Sequence, residues 1–195
     1  GDTGLSPGEE WNFKKLIDYS LVVSSNDGIK AIASVAGAEL ALSSATSSEV
    51  LFIDRMNKLA REIGLTETYF LNQSGLDVSE TLSGSYGSAR DMALLIDKIL
   101  KTDSHMLEAT SFSEINIGSK NKVHDAVNTN KSIEKIPNVL ASKTGYTKLS
   151  GGNVVLAFNV GLNHPVIISI LGSSYDGRFD DLNSIVLATL AYFKK

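Results

Sequence analysis

Lys143-Thr144-Gly145, followed at once by Tyr146-Thr147, lies at the end of the run Val139-Leu140-Ala141-Ser142, which reads as a short buried strand. A lysine there needs a reason, because an ammonium taken out of water without partners is costly. Gly145 removes a side chain where something must come close to the backbone. A cation, a hydroxyl and a bare backbone edge in a row make a place to hold the anionic end of a peptide. Two other groups stand in chain order around this one: Ser24-Ser25-Asn26 between two helical runs, and Arg178 in Ser174-Tyr175-Asp176-Gly177-Arg178 after the last apolar strand. Each alone has a plainer reading: a strand end with an exposed lysine and a turn glycine, a helix cap, and a solvated arginine at a helix start.

The elements that must position these groups follow from periodicity. Trp11, Phe13, Leu16, Ile17, Leu21 and Val22 recur at helical spacing up to Val23, and Ser24 to Gly28 interrupts them with residues whose side chains bond local backbone. A second helix is expected over about 27–38. After a polar connector over 41–48, Thr46 with Glu49 forms a capping-box pattern that opens a helix over about 47–63, and Gly64 stops it. Residues 66–87 look irregular, with a turn at Asn72-Gln73-Ser74-Gly75-Leu76, and Ser88 caps a further helix over about 89–101. The pattern then changes to strands, over about 112–117, 122–128, 140–144, 153–160 and 166–171, the last two joined by the hairpin-type loop Gly161-Leu162-Asn163-His164. An amphipathic helix over about 180–193 closes the chain. Helices first, antiparallel strands next and a helix last predict an α+β domain, mainly helical over about 11–110 and a sheet plus helix over about 111–195.

Composition narrows the classes. The chain has 195 residues and a net charge of -4, and its 18 Lys and Arg are dispersed, which argues against a nucleic-acid partner held by bulk charge. It has no cysteine, so disulfides, cysteine nucleophiles and cysteine metal sites are excluded. No apolar run approaches the ~20 residues that span a bilayer. His105, His124 and His164 lack metal-ligand spacing and are expected to be solvated surface residues, so no metal and no cofactor is expected. The acidic residues are scattered without a glycosidase-type pair, and Gly151-Gly152 precedes a strand and not a helix, unlike a phosphate loop. The first residue is Gly1 and not Met, so the sequence reads as a processed or trimmed piece of something longer.

Ser-x-Asn and Lys-Thr-Gly are two of the three signatures of penicillin-binding proteins and related β-lactamases. Leu21-Val22-Val23-Ser24-Ser25-Asn26-Asp27, Met56-Asn57-Lys58-Leu59-Ala60, Phe70-Leu71-Asn72-Gln73-Ser74-Gly75-Leu76, Ser88-Ala89-Arg90-Asp91-Met92-Ala93, Asn128-Thr129-Asn130 and Lys143-Thr144-Gly145-Tyr146-Thr147 together resemble the D-alanyl-D-alanine carboxypeptidases, the low-molecular-mass penicillin-binding proteins. The resemblance runs in order from about Trp11 to Phe193, with Gln73 standing where the family usually has proline. It implies a transpeptidase-like fold, similar to β-lactamases, with an antiparallel sheet, helices packed on it and a helical subdomain. It also implies acyl transfer, in which a serine attacks the peptide bond between two D-Ala residues and water releases the acyl group. On the family's pattern Ser24 relays a proton to the leaving amine and Asn26 holds the base lysine and the substrate backbone. Lys143 adds positive field and biases that base toward its neutral form. Thr144 and Arg178 grip the terminal carboxylate, Gly145 leaves the backbone bare, and the N–H of Tyr146 is half of an oxyanion hole. The implied partners are peptidoglycan stem peptides ending in D-Ala-D-Ala and β-lactam antibiotics, and the implied location is outside the cytoplasmic membrane.

The third signature, Ser-x-x-Lys, should precede Ser24, and none of the 23 residues there forms it. The two literal matches, Ser119-Lys120-Asn121-Lys122 and Ser132-Ile133-Glu134-Lys135, lie downstream in an expected turn and an expected loop, and neither opens an apolar helix. Two explanations stand. The favoured one is an enzyme whose N-terminal part, with the nucleophile, is missing from this chain, which would then be inactive alone and would cover its exposed sheet edge with that segment or with a second copy. The other is a non-catalytic relative that binds peptidoglycan ends. A β-lactamase is a more distant alternative, since no Glu can be assigned as a deacylating base.

Overall fold

The computed structural model describes residues 4–41 and 46–194. Helix α1 (Phe13–Val23) starts where the Asn12 side chain accepts from the N–H of Lys15, and it ends at Ser24 in the left-handed region. Helix α2 (Asn26–Leu40) follows after two residues, Ser24 and Ser25, with Ser25 Oγ accepting from the N–H of Gly28 at 3.0 Å. That tight break needs a glycine at 28, because a Cβ there would stand 2.0 Å from Ser20 Oγ on α1. Helix α3 (Ser48–Glu62) is capped by Ser47, whose hydroxyl accepts from the N–H of Val50. The capping box expected at Thr46 is thus displaced by one residue: Ser47, with an extended backbone, is the N-cap. Part of the connector expected over 41–48 lies outside the described residues. Gly64, at φ 84, ends the turn after α3 as its sequence position suggests.

Strands β1 (Tyr69–Phe70) and β2 (Ser85–Tyr86) pair inside the stretch expected to be irregular. Asn57 of α3 holds Phe70 at both its N–H and its C=O, each at 2.8 Å. Helix α4 (Ala89–Thr102) is capped by Ser88 as expected. Strands β3 (Glu114–Gly118) and β4 (Val123–Val127) form an antiparallel hairpin. Strands β5 (Val139–Thr147), β6 (Gly151–Asn159) and β7 (Pro165–Ser173) form the main antiparallel sheet in the order β5-β6-β7, and α5 (Gly177–Phe193) returns across it. Among the described residues no helix is long and apolar enough to cross a membrane.

The sheet is covered on both faces. Val154, Leu156 and Phe158 of β6 pack with Leu182 and Val186 of α5, while Ala141 and Ala157 pack on the other face with Ile96 of α4 and Leu107. Alternating residues of one strand therefore feed two cores, the arrangement expected of an α+β domain with helices on its sheet. Truncating Leu156, which is fully buried, to Ala is a change of the kind that costs about 2–5 kcal/mol. The outer edge of β5 is covered along its first half. There the N–H of Ser142 donates to Thr110 Oγ1 at 3.1 Å and Asn130 Nδ2 donates to Ser142 Oγ at 2.7 Å.

A third core joins α1 to the β3–β4 hairpin through Tyr19, Val22, Ile117 and Ala126. His124 belongs to it. The expectation of a solvated His124 is corrected here: the residue is 6% exposed, and its Nε2 lies 2.8 Å from Glu9 Oε2 between the rings of Trp11 and Tyr19. His105 and His164 are exposed. Burial alone would raise the Glu9 carboxyl, but hydrogen bonds to His124, Ser6 and Ser119 and the charge of His124 outweigh it and hold the group at about 2. A depressed carboxyl contributes stability above its unfolded value of 4.5, and that contribution is lost as pH falls toward 2. Urea unfolding of Glu9→Gln against the unsubstituted chain should show a deficit on the order of 1 kcal/mol at pH 6 that closes as the pH is lowered. A deficit of constant size across that range would show that the carboxylate charge is not its source.

Candidate functional site

A cleft of about 1000 Å³ opens between the α1–α2 break, the segment 70–87 and the far half of β5. Ser24, Asn26, Lys143, Thr144, Gly145 and Tyr146 all line it. The chain thus brings six of the seven expected site residues to one surface from two places more than a hundred residues apart. The seventh, Arg178, is not on the lining. It is 4% exposed and reaches from the first turn of α5 to donate Nη1 to the carbonyl oxygen of Gly145 at 2.5 Å.

Ser24 has φ 58 and ψ 48, a left-handed backbone that a residue with a Cβ rarely adopts. The two-residue break between α1 and α2 imposes it, and the hydroxyl reaches Lys143 at the cleft. Lys143 Nζ donates to Ser24 Oγ at 2.7 Å and to the carbonyl oxygen of Thr144 at 2.6 Å. Burial lowers the Lys143 ammonium to about 8, with the charge of Arg178 as the second cause. Such a lysine exchanges its proton near neutral pH, which an exposed lysine does not. A hydroxyl within hydrogen-bond reach of that amine can pass a proton in either direction.

The other positions give this pair its surroundings. Thr144 is 7% exposed, and its hydroxyl lies 2.6 Å from that of Thr129. A Cβ at Gly145 would meet nothing nearer than the Cβ of Asn153 at 3.9 Å, so packing within the chain does not demand a glycine there. The bare backbone faces the cleft. Tyr146 is exposed, and its ring meets Tyr175 edge-on at 5.0 Å. Tyr175 and Phe179 in turn stack on the Arg178 guanidinium, at 4.9 and 4.7 Å. Arg178 Nε is buried without a hydrogen-bond partner, an unmet donor beside the strand.

Two contributors carry no distinctive sequence signal. Asp77 accepts from Thr147 Oγ1 at 2.9 Å and from the N–H of Leu149 at 3.1 Å, tying the segment 70–87 across the cleft to the β5–β6 turn. It is one of many scattered acids, none of which the sequence singles out. Thr129 sits in Asn128-Thr129-Asn130, a segment recognisable by resemblance but without an assigned role. The two downstream Ser-x-x-Lys matches stay away from the site. Ser119 Oγ accepts from the N–H of Lys122 within the hairpin turn, Ser132 is buried beside the turn Ile133–Lys135, and neither lines the cleft.

Comparison with known proteins identifies the family and the fold. The family described as D-alanyl-D-alanine carboxypeptidase matches residues 3–174. The D-alanyl-D-alanine carboxypeptidase DacF of Bacillus subtilis is 38% identical over 143 residues, covering 73% of this chain and 33% of DacF. The chain therefore spans about a third of the length of that relative. A D-alanyl-D-alanine carboxypeptidase structure from Mycobacterium tuberculosis superimposes with a TM-score of 0.75 at 22% identity, over 98% of this chain and 68% of that one. The ampicillin-bound penicillin-binding protein D2 of Listeria monocytogenes gives 0.71 at 22% identity, over 93% and 72%. These two likenesses show the fold. The chain belongs to the D-alanyl-D-alanine carboxypeptidase family.

A lysine whose folded value lies below its ordinary 10.5 opposes folding while it is protonated in both states. The opposition is full below about 8 and fades as the pH rises from there toward 10.5. Relative to Lys143→Met, the unsubstituted chain should gain roughly 1–2 kcal/mol of unfolding free energy between pH 7 and pH 10. Parallel pH dependence of the two proteins would contradict the assigned burial.

Proposed function

We propose, from membership of this family and from the geometry of the cleft, that the chain forms the binding and polarising wall of a serine-type D,D-carboxypeptidase. Its substrates are peptidoglycan stem peptides ending in D-Ala-D-Ala, and β-lactams enter the same cleft. Peptidoglycan lies outside the cytoplasmic membrane, and so would the enzyme. The observation that carries this reading is the 2.7 Å contact between Ser24 Oγ and a Lys143 amine lowered to about 8, placed at the open half of the β5 edge.

Each residue then has a task set by its chemistry. The exposed backbone edge at Lys143–Thr147 takes the substrate as an added strand. The Thr144 hydroxyl donates to the terminal carboxylate, and the buried Arg178 charge behind Gly145 makes that end of the cleft favourable to an anion. The N–H of Tyr146 faces the oxygen of the scissile carbonyl as charge develops on it, a donor typically worth ~3 kcal/mol of barrier. Asn26 holds the substrate backbone from the opposite wall. Ser24 hands a proton to the leaving D-Ala amine, replenished through Lys143. The nucleophile is the serine of a Ser-x-x-Lys segment that would lie ahead of Ser24, where residues 1–23 hold none.

A fluorescent penicillin tests the reading. Covalent label is expected on a protein in which a Ser-x-x-Lys segment precedes this sequence, and not on the 195-residue chain alone. Lys143→Ala in the longer protein should slow labelling on the order of 100-fold or more. A longer protein that carries the motif, folds and takes no label would overturn the proposal.

A further inference from the structure

We propose that Thr129 is a positioning residue of this cleft, and that it makes the cleft selective for a free carboxylate. The inference rests on the carboxylate-binding role proposed above for Thr144. The two hydroxyl oxygens are 2.6 Å apart, so one donates and the other accepts. Each has a single proton. When Thr129 donates, the Thr144 proton is released toward the cleft, and its oxygen, already accepting, becomes a stronger donor. When Thr144 donates, the cleft loses that proton. The sense of one hydrogen bond therefore decides whether the Thr144 position can bind an acceptor at all.

Thr129 is held in place beside Thr144 by its neighbours, so the ligand decides that sense. Asn128 Nδ2 donates to the carbonyls of Thr110 at 3.0 Å and Phe112 at 2.9 Å. The N–H of Asn130 donates to Asn128 Oδ1 at 2.9 Å, and Asn130 Nδ2 reaches Ser142 Oγ on β5 at 2.7 Å. The N–H of Thr129 itself donates to the carbonyl of Val22, just before Ser24. The threonine is thus pinned on both sides between α1 and β5, the two walls of the cleft. A carboxylate is acceptor-only and favours the outward proton. A carboxamide brings its own N–H donors and gains no such preference.

Titration of the isotopically labelled chain by NMR, with a peptide ending in D-Ala-D-Ala and with the same peptide as its C-terminal amide, reads both affinities. The unsubstituted chain should bind the acid more tightly than the amide. Thr129→Val should weaken the acid roughly tenfold and leave the amide unchanged, while Thr129→Ser keeps both affinities. Thr129→Ala, with its unfolding midpoint checked, carries the same expectation as Thr129→Val if the latter fails to fold. Equal loss for acid and amide, or no loss for either, overturns the role of Thr129 while leaving the cleft assignment standing. An unsubstituted chain that does not distinguish acid from amide overturns the cleft assignment together with it.

Discussion

A lysine ammonium has three protons to donate, and on the wall of this cleft Lys143 finds two acceptors, the carbonyl next to it in sequence and the hydroxyl of Ser24. The contact to Ser24 closes a loop of 119 residues. Much of the fold serves to make that closure possible. The two-residue break between α1 and α2 throws Ser24 into a left-handed backbone, and the close approach at Gly28 keeps the break short. On the opposite side, α4 and α5 sandwich the sheet and fix β5 in depth. The polar pair is thus held by two apolar cores that would each exist without it.

How much of this could be read from residues alone depended on the range of the interaction. Helical spacing and local caps located α1, α3 and α4 to within a residue or two, because the signals that start a helix lie within one turn of it. The choice between Thr46 and Ser47 was not legible, since both residue types cap well. The three strands of the main sheet were shorter in the sequence reading than in the fold, whereas β3 and β4 were read longer than they are. Gly151 and Gly152 read as preceding a strand, yet they begin β6, where a Cβ at Gly152 would stand 2.1 Å from the carbonyl oxygen of Ser174. The Glu9–His124 pair, separated by 115 residues, left no local trace at all.

The site shows the same division. Ser24, Asn26, Lys143, Thr144, Gly145 and Tyr146 were legible because their order and types resemble a known family. Arg178 was legible as a residue but not as a contact: its guanidinium is spent on the carbonyl of Gly145 and on two aromatic faces, so its charge acts through the strand. Asp77 and Thr129 are ordinary residue types at ordinary spacings. Their roles come from what lies opposite them across the cleft, and one-dimensional periodicity does not encode that.

The half-covered edge of β5 has a consequence for self-association. An open strand edge invites any other strand, including one from a second copy, and long flat edges are the dangerous ones. Here the segment around Thr110 and Asn130 closes the edge as far as Ser142, and only Lys143 to Thr147 stays open, a length of about 17 Å at ~3.4 Å per residue. A foreign strand would find too few rungs to climb and a lysine on the first of them, so the open stretch is too short to template the pairing of long chains.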